Sequence, residues 1–245
     1  MIDGVSVIFL LLLTVVAFLY SSVGHGGASG YLALMALFGL SHEVMKPTAL
    51  LLNIFVSLIA FVLYYRSGYF RWKIFLPLAL ASIPASFLGG MTEVNSDVYR
   101  QTLGVLLIIP AVRFIGIAES KRKVTREVQF AWALITGGII GYLSGIIGIG
   151  GGILLSPLLL ILGWTSLKET AAVSSLFILV NSVSGLSGQF AQGIEFSSNM
   201  YVMVLLVLTG GIIGSYFGAK HFNNIVLKRM LAVVLVIASI KLLLS

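Results

Sequence analysis

The chain has 245 residues, of which 59% are apolar and 9% charged, and its mean hydropathy is +1.10. Eight acidic and fifteen basic side chains cannot cover a water-facing surface of this size, so lipid solvates most of the outside and the sequence reads as an integral membrane protein. The absence of cysteine excludes disulfides, Cys-based zinc sites, iron–sulfur clusters and thiol catalysis, and three scattered histidines (His25, His42, His221) make no metal cluster.

Apolar runs fall at about 4–21, 26–40, 47–65, 73–91 and 98–117, then at 129–146, 150–163, 171–191, 199–219 and 225–244. Stretches such as Val5–Leu13 and Leu103–Ile109 are continuously apolar, whereas barrel strands alternate, so an all-α membrane fold is expected. Met1-Ile2-Asp3 lacks the basic start of a signal peptide, and the first run is therefore expected to stay in the mature protein. Glu119–Glu127 is the most charged stretch. It divides the chain into a first membrane repeat (1–118), a basic cytoplasmic connector (119–128) and a second membrane repeat (129–245). The formal charge of +7 is spread over short inter-helix loops, where it fixes topology rather than gripping nucleic acid.

The two halves repeat one another. Ser22-Val23-Gly24-His25-Gly26-Gly27 aligns with Ile146-Ile147-Gly148-Ile149-Gly150-Gly151 at an offset of 124, and Glu43 and Thr48 align with Glu169 and Ser174 at 126. Ala81, Ala85 and Gly89 align with Gly210, Gly214 and Gly218 at 129, each set a ridge of small residues that lets membrane helices approach closely. Arg100 and Arg113 align with Lys228 and Lys241 at 128. Loop charge supplies orientation. Arg66, Arg71 and Lys73 have no cationic counterpart around 192–198, while Glu93 and Asp97 are answered by Lys220, Lys228 and Arg229. Equivalent loops thus prefer opposite sides, which predicts two inverted-topology repeats of about five membrane elements each, with both termini outside.

Four of the seven residues 24–30 and eight of the sixteen residues 137–152 are glycine. Two readings stand: close helix packing, or a backbone that breaks near the midplane where two short elements meet. A helix starting inside the membrane offers unpaired N–H groups and a positive dipole end, which attract an anion, and an inverted repeat points two such ends inward. Ser21, Ser22, Ser29 and Ser144 add hydroxyls, and His25 adds a group that titrates near neutrality. In 171–191, Ser174, Asn181 and Gly188 recur every seven residues, as do Ser175, Ser182 and Gln189, so one face is polar. That face either bonds neighbouring helices or lines a substrate path; Thr48, Asn53 and Ser57 form a thinner version in the first half. Arg113 and Lys241 read as snorkelling groups, Glu43 and Glu169 as helix-start carboxylates, and Trp72, Trp132 and Trp164 as interfacial anchors.

Gly24-His25-Gly26-Gly27 and Gly148-Ile149-Gly150-Gly151-Gly152, each followed by an apolar run, resemble the paired glycine motifs of the sulfite exporter TauE/SafE family of transporters. Glu43–Thr48, Glu169–Ser175, Pro84–Gly89 and Ile213–Gly218 resemble the family's later motifs, with departures at Ala49 and Lys46-Pro47. The resemblance implies multi-pass residence in the cell inner membrane and movement of sulfite, sulfonates or other small sulfur-containing anions. The expected substrate-binding set is Ser22, Gly24, His25, Gly26, Gly27, Ser144, Gly148, Gly150, Gly151, Gly152, Ser174, Ser175, Asn181 and Gln189. No catalytic constellation, metal or cofactor is expected; the lipid bilayer and an anion are the expected partners, nucleic acid is not, and a homo-oligomer is left open. The alternatives are a structural or assembly-factor membrane protein, or a transporter of a non-sulfur anion.

Overall fold

The computed structural model describes residues 6–22, 27–115, 128–194, 198–218 and 224–244. Among them regular structure is entirely helical: α1 (Val7–Ser22), α2 (Ala28–Leu37), α3 (His42–Arg66), α4 (Trp72–Met91), α5 (Ser96–Ile115), α6 (Phe130–Ile147), α7 (Gly152–Ile161), α8 (Leu167–Ala191), α9 (Ser198–Gly218) and α10 (Asn224–Leu244). Each apolar run holds one helix. Helices α3 and α8 start well before their apolar runs, by five and four residues. Polar first turns sustain them: α8 opens on a capping box in which Ser166 and Glu169 satisfy each other's backbone N–H, and Ser41 O accepts from Val44 and Met45 N–H at the start of α3. Connector residues 119–127 and Lys220 lie outside the described residues, as do the side chains of Arg113 and Lys228.

Helices α3, α4, α6 and α8 are long and apolar enough to cross a bilayer. By contrast α2 and α7 have ten residues each, about 15 Å of rise, or half of a hydrocarbon core. The protein is an integral membrane protein built of such helices.

Two compact units form, and each draws helices from both halves of the chain. One comprises Met1–Leu52, Val94–Ile117 and Glu195–Ser245; the other comprises Asn53–Glu93 and Ala118–Ile194.

In the second unit α4 packs against both α6 and α8. Gly137, Gly141 and Gly145 of α6 lie directly on the backbone of Leu78, Ser82 and Ser86, where any side chain would collide with a carbonyl. On α8, Gly188 rests in the same way on Phe87, while Ser86 Oγ donates to Asn181 O at 2.8 Å and Ser184 Oγ to Ile83 O at 2.6 Å. A core of Phe75, Leu78, Ala133, Leu155, Leu159, Val173 and Phe177 fills the interior. Trp164 joins that core at 6% exposure, whereas Trp72 and Trp132 are exposed as membrane anchors would be. The expectation of three interfacial tryptophans fails at Trp164 because the chain leaving α7 folds back against α4 and α6.

The first unit contains a matching interface. Gly210 and Gly214 of α9 lie on the carbonyls of Thr14 and Phe18 in α1. Offsets of 129 and 124 carry Ala81 onto Gly210 and Thr14 onto Gly138, and a Cβ on Gly138 would lie 3.7 Å from Ala81 Cβ. The same helix pair is thus built once in each unit. Each unit also holds a helical hairpin. Phe9 near the start of α1 meets Phe38 just beyond α2 with ring centroids 5.2 Å apart, while Tyr20 Oη and Ser29 Oγ bond at 2.7 Å near the tip. In the α6–α7 hairpin, Trp164 beyond α7 shares a core with Ala133 near the start of α6.

The α4–α6 contact predicts a sharp contrast between neighbouring glycines. A Cβ on Gly145 would fall 2.7 Å from Gly90 N, so Gly145→Ala is expected to destabilise by roughly 1–3 kcal/mol. Gly138→Ala, which meets an ordinary contact, should leave the melting temperature in detergent unchanged; equal losses for both variants would refute the packing described.

Candidate functional site

The site begins where α6 stops. Gly148, at φ 87°, caps α6 by donating its N–H to Ser144 O at 2.8 Å. Gly150 (φ 70°) and Gly151 (φ 77°) continue in the left-handed region, which side-chain-bearing residues rarely adopt, and Gly151 is the N-cap of α7. Having no side chain, Gly151 leaves the first turn of α7 without a side-chain cap; its carbonyl accepts from Leu154 and Leu155 N–H, and no side chain neutralises the positive dipole end of α7.

Two polar side chains converge on Gly150. A Cβ built there would lie 2.8 Å from Asn53 Nδ2 of α3 and 2.9 Å from Ser182 Oγ of α8, with Ile178 Cγ2 also at 2.9 Å. Asn53 and Ser182 are almost wholly buried. Yet Asn53 Nδ2 and Oδ1 and Ser182 Oγ have no hydrogen-bond partner among the described residues. A buried polar group without a partner costs about 1–3 kcal/mol, and three at one glycine turn beside an uncapped helix start form a cradle suited to a polar ligand. On the other side Gly151 faces Phe177 and Ile140, and Gly152 faces Ile178, so the cradle has an apolar back wall.

The remaining residues of the expected set divide by what they touch. Ser144 Oγ, one turn before the break, and both amide atoms of Gln189 are buried and likewise unpartnered among the described residues. Ser174 accepts a bond from Ser156 Oγ of α7 at 3.0 Å, and Ser175 Oγ donates to Ala172 O within its own helix. Asn181 Nδ2 donates to Phe177 O while its Oδ1 stays unpartnered. In the stripe of Ser174, Asn181 and Gly188, Ser174 bonds α7, the Asn181 main-chain carbonyl accepts from Ser86 and Gly188 packs on α4, with Asn181 Oδ1 left over; in the adjacent stripe Ser175 is satisfied while Ser182 and Gln189 are unpartnered among the described residues. Reading the helix as one polar face merges two faces with different jobs. Asn53, a minor member of a thin first-half stripe in the sequence, reaches the glycine turn; its signal was an amide within an apolar run.

In the other unit, Gly27 is the N-cap of α2 at an ordinary φ of −84°, and the Tyr31 ring occupies the place a Cβ would take. Tyr31 Oη is buried with no partner among the described residues. Gly24, His25 and Gly26 lie outside the described residues, as does the side chain of Ser22.

Charged groups near α8 are engaged elsewhere. Glu169 accepts from the N–H and Oγ of Ser166, each at 2.9 Å, and pairs with Arg71 Nε. With Arg71 60% exposed this pair adds at most about 1 kcal/mol; it ties the α3–α4 loop to the start of α8. Lys241 Nζ donates to Ala36 O and Leu37 O at 3.0 and 2.8 Å, capping α2 instead of snorkelling freely.

The family described as Sulfite exporter TauE/SafE matches residues 9–242. The chain is 36% identical to "Probable membrane transporter protein y4hK" of Sinorhizobium fredii, with 94% of each chain covered. It is 27% identical to "Probable membrane transporter protein YdhB" of Bacillus subtilis over 96% of this chain and 99% of that one. No solved structure matches.

Stability separates the two stripes. Ser86→Ala removes a satisfied buried bond and should cost about 0.5–1.5 kcal/mol, whereas Ser182→Ala removes an unpartnered hydroxyl and should leave the ligand-free melting temperature unchanged or raised. A loss for Ser182→Ala as large as that for Ser86→Ala, in thermal melts in detergent, would mean that Ser182 is structural.

Proposed function

Since the chain belongs to the sulfite exporter TauE/SafE family, we propose that it carries a small sulfur-containing oxyanion, sulfite or a sulfonate, across the inner membrane, holding it at the start of α7. The observation that carries this reading is the set of unpartnered buried groups, Asn53 and Ser182, against Gly150. An oxyanion entering there exchanges water for amide, hydroxyl and main-chain N–H donors and meets the positive end of α7. A cation would meet the wrong end of the dipole. Because the donors are neutral, they replace hydration without the deep well that a fixed guanidinium would create, and an anion so held can also leave. In sequence, Gly24–Gly27 is the first half's equivalent of this glycine turn.

Transport follows from an inverted repeat. Each half supplies one helical hairpin and three further helices; with an odd number of crossings per half the two would stand in opposite orientations, a reading that their reversed loop charges support. On this arrangement both termini lie outside, and the loops around Arg71, Lys121–Arg126 and Lys220–Arg229 lie inside.

Gly150→Ala sets a methyl between Asn53 and Ser182. It should cut sulfite or ethanesulfonate uptake into proteoliposomes at least about tenfold and cost about 2–5 kcal/mol of stability, about 1–2 for the left-handed alanine and about 1–3 for its overlap with Asn53, Ile178 and Ser182. The wild-type protein should be stabilised by sulfite or sulfonate, by about 2.7 kcal/mol at a hundred times Kd, and not by alkali cations. Normal uptake by Gly150→Ala would move the site elsewhere, and stabilisation by acetate alone would replace sulfur with a carboxylate substrate. Gln192→Cys should react with impermeant thiol reagents only from outside, and labelling from the cytoplasm alone would overturn the inverted repeat.

A further inference from the structure

The first unit has a second polar concavity, away from the glycine turn at its own α2 start. A cavity of about 270 Å³ opens where α2 ends, α3 and α5 begin and α10 finishes. Its polar lining is Ser41, His42, Ser96, Tyr99, Arg100 and Lys241, and among the described residues no carboxylate lines it, though Glu43 Oε2 stands 3.5 Å from Ser41 Oγ. The remaining walls are mostly aliphatic, which concentrates the field of the cations on the cavity.

Each cation is held in place with donors to spare. Lys241 Nζ bonds two carbonyls at the end of α2, and an ammonium has three N–H groups. Arg100 Nη2 pairs with the exposed Asp97 at 2.7 Å and Nε reaches Ser96 O at 3.4 Å, out of five N–H groups on a guanidinium. His42 Nδ1 lies 3.3 Å from Ser96 Oγ, and its ring leans on Tyr99 with centroids 5.4 Å apart, so the imidazole is fixed as well. Capping of α2 accounts for Lys241 alone. It does not account for an arginine and two serines around the same space.

We infer that this cavity is a binding site for an anionic tetrahedral group, a sulfonate, sulfate or phosphate, clamped between Lys241 and Arg100. The volume admits one such group with several waters, each water taking about 30 Å³. Two cationic side chains, Arg100 sharing its charge with Asp97, make it a stronger anion trap than the neutral cradle at α7, suited to capture rather than passage. Because Lys241 also holds the last carbonyls of α2, an anion drawn to it acts on the end of the half-length helix that Gly27 caps. A free oxyanion and a lipid headgroup phosphate share this chemistry. The site does not depend on the proposed role of α7.

The cysteine-free chain allows a direct test. Ser41→Cys, an exposed lining position, is labelled in nanodiscs with an anionic methanethiosulfonate reagent bearing a sulfonate and with its cationic aminoethyl counterpart. The anionic reagent should react about tenfold faster, an advantage lost on adding Lys241→Met or Arg100→Gln, each checked for folding by its melt. Millimolar ethanesulfonate or sulfate in phosphatidylcholine discs should protect the thiol if the occupant is a free oxyanion. Protection without added anion in discs containing phosphatidylglycerol, absent in pure phosphatidylcholine, would identify a headgroup. Both results support the site when the two substitutions abolish them, and protection should persist in Gly150→Ala. Indifference to every anion source, or protection that survives both substitutions, overturns the inference; protection lost in Gly150→Ala alone would mean that the label reports on α7.

Discussion

A backbone that stops being helical inside an apolar medium must have its freed N–H and C=O groups satisfied by protein or by whatever occupies the space beside them. That constraint governs the α6–α7 turn. Gly148 meets it by donating back to Ser144 O, but the next residues turn through left-handed conformations and start a helix with no capping side chain. Around this break lie Asn53 and Ser182, buried and unpartnered among the described residues. These groups cost stability, since aliphatic side chains in their place would remove the penalty.

The break needs a rigid frame, and the glycines of α6 supply it. Close approach of two backbones brings many atoms into van der Waals contact without long side chains that must be ordered, which is how membrane helices associate when hydrophobic burial offers little. Contacts at Gly137, Gly141 and Gly145 lock α6 to α4, and α4 is locked to α8 through Ser86, Ser184 and Gly188. The last of the α6 contacts lies three residues before the cap at Gly148. Glycine thus has two jobs on one element: contact along the helix, then left-handed turning at its end.

Much of this was legible in the sequence. Apolar runs marked ten helices, small-residue ridges marked close packing, and the glycine cluster marked the break. What remained hidden was the assignment of neighbours. Periodicity places Ser174, Asn181, Ser182 and Gln189 on adjoining faces, but which face meets α4 and which meets Gly150 depends on the angle at which helices dock, and no single-helix pattern contains that angle. Trp164 failed for a similar reason. At the edge of an apolar run a tryptophan serves equally as an interfacial anchor or as a core residue beneath a returning loop, and only the hairpin decides. The early start of α8 was readable, because Ser166 and Glu169 stand at capping-box spacing ahead of the apolar run.

The sequence halves and the compact units divide the chain differently, and the difference has physical content. Repeats are defined by common ancestry of sequence, units by packing, and here the fourth helix of each half packs on the first helix of the other: α4 on α6, and α9 on α1. Neither half could bury its ridges alone, since Ala81 needs Gly138 and Gly210 needs Thr14. Such exchange makes folding of either half conditional on the other and makes each unit a composite.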